Sequence, residues 1–351
     1  MYQEEHIFPH ALPHFDSLWI ADHFYGFDPD KKEGFLEAWV TLTWLAARFP
    51  DVTLCHHVLG HGYRNPALTA KMASTLQVLS GNRFVLGIGA GWREDEYDSY
   101  GFDFPSTATR LRQLEEVVQI CRLMWTEDNP TFSGQHFSID DAAATPRPDV
   151  VPPICIGSSG EQIGLPIVGR QADMWNGHHR SDDDWLRMRE IVRASASDAG
   201  RDPDAVECTL TVAGDLPETE PESAAWVERL SHLAGLGVQH FIMDFGHPLT
   251  VEPALRFAEQ VITPIRLTES GHECMAQGDR LMPLPHVVAR FNKRVTNRFI
   301  EPIARISSGF AVVHHTGRRS GTGYSTPVNL FHLNGSVVVA LTYGLAADWA
   351  Q

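Results

Sequence analysis

Between Ser17 and Arg266 short apolar runs alternate with helical patterns, and this alternation narrows the possible folds more than any other feature of the chain. The run SLWIA from Ser17 precedes a helical pattern near Gly34–Phe49, a strand at Val52–Val58, and a helix suited to Asn65 as N-cap and Pro66 as first residue. A strand at Arg83–Ile88 follows, then a helix in which Leu111, Leu114, Val118, Cys121 and Trp125 recur at helical spacing. Thr131–Ile139, with Ser133 and Gly134 at its centre, reads as a hairpin excursion. Further strands are expected at Pro153–Ile156, Asp173–Trp175, Cys208–Val212 and His240–Asp244, with helices between them, one opened by Ser181 and three aspartates. Repeated βα units demand parallel strands and right-handed crossovers, hence an α/β fold that is either doubly wound or a closed barrel. Seven strand–helix units are legible from Ser17 onward, whereas a TIM (β/α)8-type barrel has eight. The residues before Ser17 hold no strand plus helix, so the expectation is a barrel lacking its first βα unit, with unpaired edges on its first and last strands.

Periodicity is lost over residues 267–284, which read as a linker between a barrel domain at 1–266 and a second segment at 285–351. In that segment Arg290–Ile306 reads as a basic amphipathic helix. Strands are expected at Phe310–His315, Thr326–His332 and Val337–Thr342, with turns at Gly317–Gly323 and Asn334-Gly335, so its character is α+β and antiparallel.

The chain of 351 residues carries a formal charge of -16, which argues against general nucleic-acid binding because phosphate neutralisation needs clustered Lys and Arg. Only the segment from Pro285 to Gln351 departs from this, with seven Arg or Lys residues against Glu301 and Asp348. Five cysteines, Cys55, Cys121, Cys155, Cys208 and Cys274, show no C-x-x-C spacing and read as reduced core residues of a cytoplasmic protein. No run approaches the ~18 apolar residues of a membrane span, and no secretory leader is visible.

The first strand stops on Asp22 and His23, which places an acid and an imidazole where barrel enzymes keep their chemistry. Gly87, Gly89 and Gly91 suggest a dinucleotide fingerprint, but position 92 is Trp92 and no helix is expected to start there, so that reading fails. Gly89 and Gly91 can instead let a flat ring system approach the backbone, or relieve crowding at the barrel rim. Gly157, Ser158, Ser159 and Gly160 precede a helix expected from Glu161 and form a candidate phosphate cradle. The pairs His56-His57, His178-His179 and His314-His315 lie on strands or strand ends, where neighbours face opposite ways, so no metal site is assigned. No nucleophile elbow, zinc-protease helix or P-loop is present in the sequence.

With these residues in place, Ser17–Arg266 resembles the luciferase-like monooxygenase superfamily, specifically its deazaflavin (coenzyme F420) dependent oxidoreductases. The matching runs are SLWIADHF, YRNPALTAKMASTLQVLSGNRFVLGIGAGWREDEYDSYGFDFPS, RLRQLEEVVQICRLMWTE, PPICIGSSGE, ADMWNG and LGVQHFIMDF. The resemblance implies a TIM barrel with the deazaflavin ring at its C-terminal face, flanked by His23 and Asp22, and with phosphate at Gly157–Gly160. It also implies a bulge with a non-prolyl cis peptide near His57-Val58, with Gly60 close by. Arg290–Trp349 resembles a second family, the split-barrel deazaflavin-dependent nitroreductases, through ARFNKRVTNRFIEPIA, HTGRRSGTGYSTPVNLF and VVVALTYG. That likeness implies a partial split-barrel domain in which Arg318 and Arg319 meet the anionic cofactor tail.

The expected activity is hydride transfer between F420 and a small organic substrate, with His23 moving the accompanying proton and Asp22 orienting the ring or the imidazole. Trp92, Asp95 and Asn176 are expected to line the pocket. An FMN-dependent monooxygenase of the same superfamily, or a truncated cofactor-binding protein without turnover, are the alternatives. A homodimer is a further expectation, and neither nucleic acid nor membrane is an expected partner.

Overall fold

The strands follow in chain order as β1 (Ser17–Ile20), β2 (Thr53–His56), β3 (Leu59–Gly60), β4 (Phe84–Gly89), β5 (Phe132–Ser133), β6 (Ser138–Ile139), β7 (Ile154–Gly157), β8 (Met174–Gly177), β9 (Glu207–Ala213) and β10 (His240–Asp244). The computed structural model describes residues 7–26, 34–245, 250–266, 310–316, 323–333 and 336–339. The chain divides into two units, Met1–Thr268 and Glu269–Gln351. In the first, parallel ladders run in the order β1-β2-β4-β7-β8-β9-β10, and β3 joins β4. This is an α/β fold with a nearly closed barrel of parallel strands.

Between the strands, helices form where the sequence supplies both an apolar face and a cap. Asn65 Oδ1 accepts from the amides of Ala67 and Leu68 at the start of Pro66–Leu79. Ser106 opens Thr107–Thr126 and Ser181 opens Asp182–Asp198 in the same way. Thr219 and Glu222 form a reciprocal capping box at Glu220–Gly235. Two boundaries differ from expectation. The helix anticipated from Glu161 starts at Gly164, after a turn, and a short helix, Glu94–Tyr100, forms where none was expected. That second helix carries Glu94, Asp95 and Glu96 in its first turn, so its N-terminal end is already occupied by carboxylates and would repel a dinucleotide phosphate. The excursion after Thr126 is an antiparallel hairpin whose turn falls on residues 134–137 rather than on Ser133-Gly134.

Strand residues alternate between two environments. Leu54, Phe84, Leu86, Ile88, Ile154, Ile156, Trp175, Cys208, Leu210 and Val212 pack into the main core shared with the helices. Their neighbours Cys55, Val85, Cys155 and Met174 form a second cluster with Trp19, which fills the lower barrel interior. Higher in the same interior the side chains become polar or vanish: His57, Asn176, Thr209 and Thr211 on one side, Gly89 and Gly157 on the other. Cys55, Cys121, Cys155 and Cys208 are free and buried, and burial pushes the thiols of Cys121 and Cys155 up to about 12.

No ladder joins β1 to β10 among the described residues, so the barrel has a seam there. Side chains close it. Ser17 Oγ lies 2.8 Å from His240 Nε2, Trp19 Nε1 donates to Ser17 Oγ at 2.7 Å, and Glu207 Oε1 lies 3.3 Å from His240 Nδ1. The Trp19 ring meets His240 edge-on at 5.6 Å, and Arg266 pairs with Asp16 at the same end. The segment before β1 supplies a one-turn helix, Phe8–Ala11, and Ile7 and Ala11 pack there against Ala254 of the helix Val251–Phe257. The unpaired strand edges are therefore crossed by specific side chains and by a short covering helix.

In the second unit, β11 (Phe310–Thr316), β12 (Gly323–Leu333) and β13 (Ser336–Val339) form an antiparallel sheet in that order. The expected helix Arg290–Ile306, the linker and the turn carrying Arg318 and Arg319 lie outside the described residues. Among the described residues no helix is long and apolar enough to cross a membrane.

If the seam is closed by side chains, His240→Ala should destabilise the protein by about 1–2 kcal/mol, the scale of one buried hydrogen bond plus an aromatic contact. Thermal melts of Ser17→Ala, His240→Ala and the double variant should show coupling between the two sites. Strict additivity would mean that the pair does not hold the seam.

Candidate active site

His23 follows β1 at the C-terminal end of the barrel, and its imidazole is held from behind. Nδ1 lies 2.8 Å from Glu96 Oε2. Glu96 has no exposed side-chain surface and accepts two more hydrogen bonds, from the Phe24 amide at 2.6 Å and the Tyr63 hydroxyl at 2.8 Å. Arg93 Nη1 stands 3.9 Å from its other oxygen. Burial alone drives the Glu96 carboxyl upward, yet the hydrogen bonds from His23, Phe24 and Tyr63 outweigh it and hold the group below the usual carboxylate range. Arg93 also clamps the loop after β1, donating to the carbonyls of Tyr25 and Gly26 and lying 4.3 Å over the Tyr25 ring. Phe35 and Trp92 meet the His23 ring edge-on at 6.3 and 5.8 Å, and Trp92 is 65% exposed.

Asp22, expected to orient the ring or the imidazole, makes its hydrogen bonds to Arg64 and Gly60. Its carboxylate accepts both guanidinium branches of Arg64, at 2.9 and 3.1 Å, and the Gly60 amide at 3.1 Å. Arg64 reaches on to Glu37 Oε1 at 2.6 Å, tying the mouth to the cap of the helix Ala38–Arg48. Burial raises the Asp22 carboxyl against the pull of Arg64. Asp95 is likewise engaged elsewhere, by the Tyr25 hydroxyl at 2.8 Å and by Arg93 at 3.4 Å.

The floor of the mouth is built by the cis peptide His57-Val58, which ends β2 at His56, two residues short of the expected Val58, and separates it from the short β3. A Cβ on Gly89 or on Gly157 would sit 2.9 Å from Val58 Cγ2, so both glycines are needed to admit the valine. Gly91 has φ +72°, and its missing Cβ makes room for the Tyr97 hydroxyl. These glycines thus relieve crowding by the protein's own side chains, Val58 and Tyr97. Beside Val58, His57 Nε2 lies 2.8 Å from Thr211 Oγ1, and Asn176 Nδ2 donates to Thr209 and Thr211 at 3.2 and 3.4 Å. Burial lowers His57 below its ordinary value.

In the loop Gly157–Gly160 two amides are already engaged: Ser158 N donates to the Asn176 carbonyl at 3.2 Å and Gly160 N to Ser158 Oγ at 3.4 Å. The Ser158 carbonyl accepts from Trp175 Nε1 at 2.8 Å. The cradle therefore presents fewer open amides than its sequence suggests. The structure brings His23, Trp92, His57, Val58, Gly89, Gly157 and Asn176 to one end of the barrel. Glu96, Tyr63 and Thr211, which complete that end, carry no local signal in the sequence: Glu96 sits in an acidic helix start, and Thr211 in a strand that otherwise reads as core.

Comparison with known proteins is consistent with this geometry. The description "luciferase-like monooxygenase" matches residues 14–278. The F420-dependent glucose-6-phosphate dehydrogenase of Kineococcus radiotolerans is 31% identical over 219 residues, 60% of this chain and 64% of that protein. The Amycolatopsis mediterranei enzyme of the same name is 33% identical over 162 residues, 45% of this chain and 47% of its own length. The chain thus spans between about half and two thirds of these relatives. Among solved structures, an F420-dependent secondary alcohol dehydrogenase in complex with an F420-acetone adduct superposes with a TM-score of 0.66 at 20% identity, covering 73% of this chain and 92% of that one. The F420-dependent tetrahydromethanopterin reductase of Methanopyrus kandleri gives 0.58 at 17% identity, covering 73% and 93%. At such identities the likeness is one of fold.

His56, the partner of His57 in sequence, faces the opposite way. It packs on Trp39 and Phe84 at 4.5 and 5.7 Å, and neither ring nitrogen has a hydrogen-bond partner among the described residues. Burial lowers His56 to about 3 and His61 to about 4. Below about pH 6.5 the unfolded chain binds protons that these folded imidazoles refuse, so stability should fall with acidification by about 1.4 kcal/mol per pH unit for each. Urea unfolding at pH 7 and 5 measures this slope. His56→Phe should remove about one proton's worth of it, and an unchanged slope would contradict the buried neutral state.

Proposed function

The chain belongs to the luciferase-like monooxygenase family, and from that premise we propose that it is an F420-dependent oxidoreductase acting on a small organic alcohol or carbonyl compound. The observation that carries this reading is His23, set at the mouth of a barrel interior that turns from apolar to polar just below it. The residues fit a deazaflavin. Val58, over Gly89 and Gly157, offers an apolar support, and His57, Asn176 and Gly60 stand around it. We assign Ser158, Ser159 and the rest of Gly157–Gly160 to the cofactor phosphate, with the two serine hydroxyls doing what the engaged amides cannot. Trp92, Gly91 and Asp95 belong to the rim, and Asp22 holds Gly60 in place through its carboxylate.

When bound, F420 supplies hydride exchange at a ring carbon. His23 takes or returns the companion proton of the substrate hydroxyl, a task for a positioned imidazole. The Phe35 and Trp92 rings flank His23 edge-on and limit how its imidazole can turn. The kinship of the second unit with split-barrel deazaflavin-dependent nitroreductases is part of the same proposal, while Arg318 and Arg319 lie outside the described residues. The proposal also includes a homodimer, which Val40 and Trp44, exposed one turn apart on the helix Ala38–Arg48, and the exposed Leu36 just before it would favour.

Fluorescence titration should show F420 binding more tightly than FMN, and His23→Ala should lower turnover by ~100-fold while leaving the F420 affinity unchanged. Tight FMN binding with none for F420 would contradict the cofactor assignment. Equal turnover in His23→Ala would remove the proton-transfer role.

A further inference from the structure

A carboxylate that is wholly buried, receives three hydrogen bonds and points one oxygen at an imidazole can do more than anchor a loop. Glu96 Oε2 is shared by His23 Nδ1 and the Tyr63 hydroxyl, each at 2.8 Å, while Oε1 takes the Phe24 amide at 2.6 Å. Tyr63 Oη must donate here, because an ionised carboxylate only accepts. The same logic applies to His23: against an ionised carboxylate, the nitrogen at 2.8 Å carries the hydrogen. The Phe24 amide lies next to His23 in the chain, so Glu96 grips the imidazole and its own backbone together. The remaining degree of freedom, rotation of the ring, is limited by the edges of Phe35 and Trp92.

We propose that Glu96 is the positioning residue of the active site: it fixes His23 in the tautomer protonated at Nδ1, so that Nε2 is the atom that exchanges a proton with the substrate. Tyr63 supports it by holding Oε2 in line with the ring. This inference rests on the role of His23 in the function proposed above, and it adds a direction to it. With the proton parked on Nδ1, neutral His23 meets an alcohol as a proton acceptor at Nε2. The imidazolium formed when the alcohol proton arrives is then neutralised by the carboxylate behind it, as in other imidazole–carboxylate pairs.

The test reads the tautomer directly, in the full chain without cofactor or substrate. Nitrogen-15 NMR of histidine-labelled protein at alkaline pH, with His23→Asn to assign the signal, should show the hydrogen of His23 on Nδ1. In Glu96→Ala it should move predominantly to Nε2, as in free histidine, and turnover should fall by ~100-fold with F420 affinity unchanged. Glu96→Gln, whose amide oxygen can still accept from His23 and Tyr63 while its NH2 group opposes the Phe24 amide, should lose some thermal stability yet retain the Nδ1 tautomer. It thereby separates positioning from collapse of the loop. A hydrogen on Nε2 in the parent, or the same tautomer in parent and Glu96→Ala, would overturn the assignment. Because the NMR readout involves no cofactor, it stands or falls apart from the F420 reading.

Discussion

The C-terminal end of this barrel depends on how a buried carboxylate is satisfied. Glu96, with no exposed surface, draws its donors from two separate loops: His23 and Phe24 after β1, and Tyr63 after β3. Arg93, beside it at the helix start, ties down Tyr25 and Gly26. Removing any one partner from such a group leaves a charge in a poor solvent, which is costly compared with the loss of an exposed pair. The loops after β1 and β3 are thereby tied to one another through one carboxylate, and the rings of Phe24, Tyr63 and Tyr97 pack beside it.

A second carboxylate network runs alongside it. Asp22, one residue before His23, is engaged by Arg64 and Gly60, and Arg64 links it to Glu37. The adjacent positions Asp22 and His23 thus belong to two different clusters, one bracing the barrel rim and one presenting the imidazole. At the opposite end of β1 the arrangement is repeated in another form, where Ser17, Trp19 and His240 cross the seam that no ladder closes. β1 is the strand on which both the site and the closure of the barrel converge.

Much of the fold is legible in the sequence because the helices carry their own start signals: Asn65 with Pro66, Ser181 with its aspartates, and the apolar spacing through Trp125 all act locally. What is not legible is non-local. Glu96 lies in an acidic stretch that reads as a solvated helix start, and only the return of the chain after β1 reveals it as the anchor of His23. β9 hides Thr209 and Thr211 in the same way, since a strand of a barrel alternates between core and interior, and a hydroxyl in the interior looks like a tolerated polar residue. The glycines after β4 and β7 announce a close approach without saying of what; the answer, Val58 and Tyr97, comes from elsewhere in the chain.

A crystal structure of the full chain with oxidised F420 tests the central claim most directly. The account predicts the deazaflavin ring lying against Val58 over Gly89 and Gly157, with its reactive face open to a substrate within hydrogen-bond reach of His23 Nε2. A ring bound away from the His23 end of the barrel, or turned so that His23 cannot reach the substrate side, would contradict it.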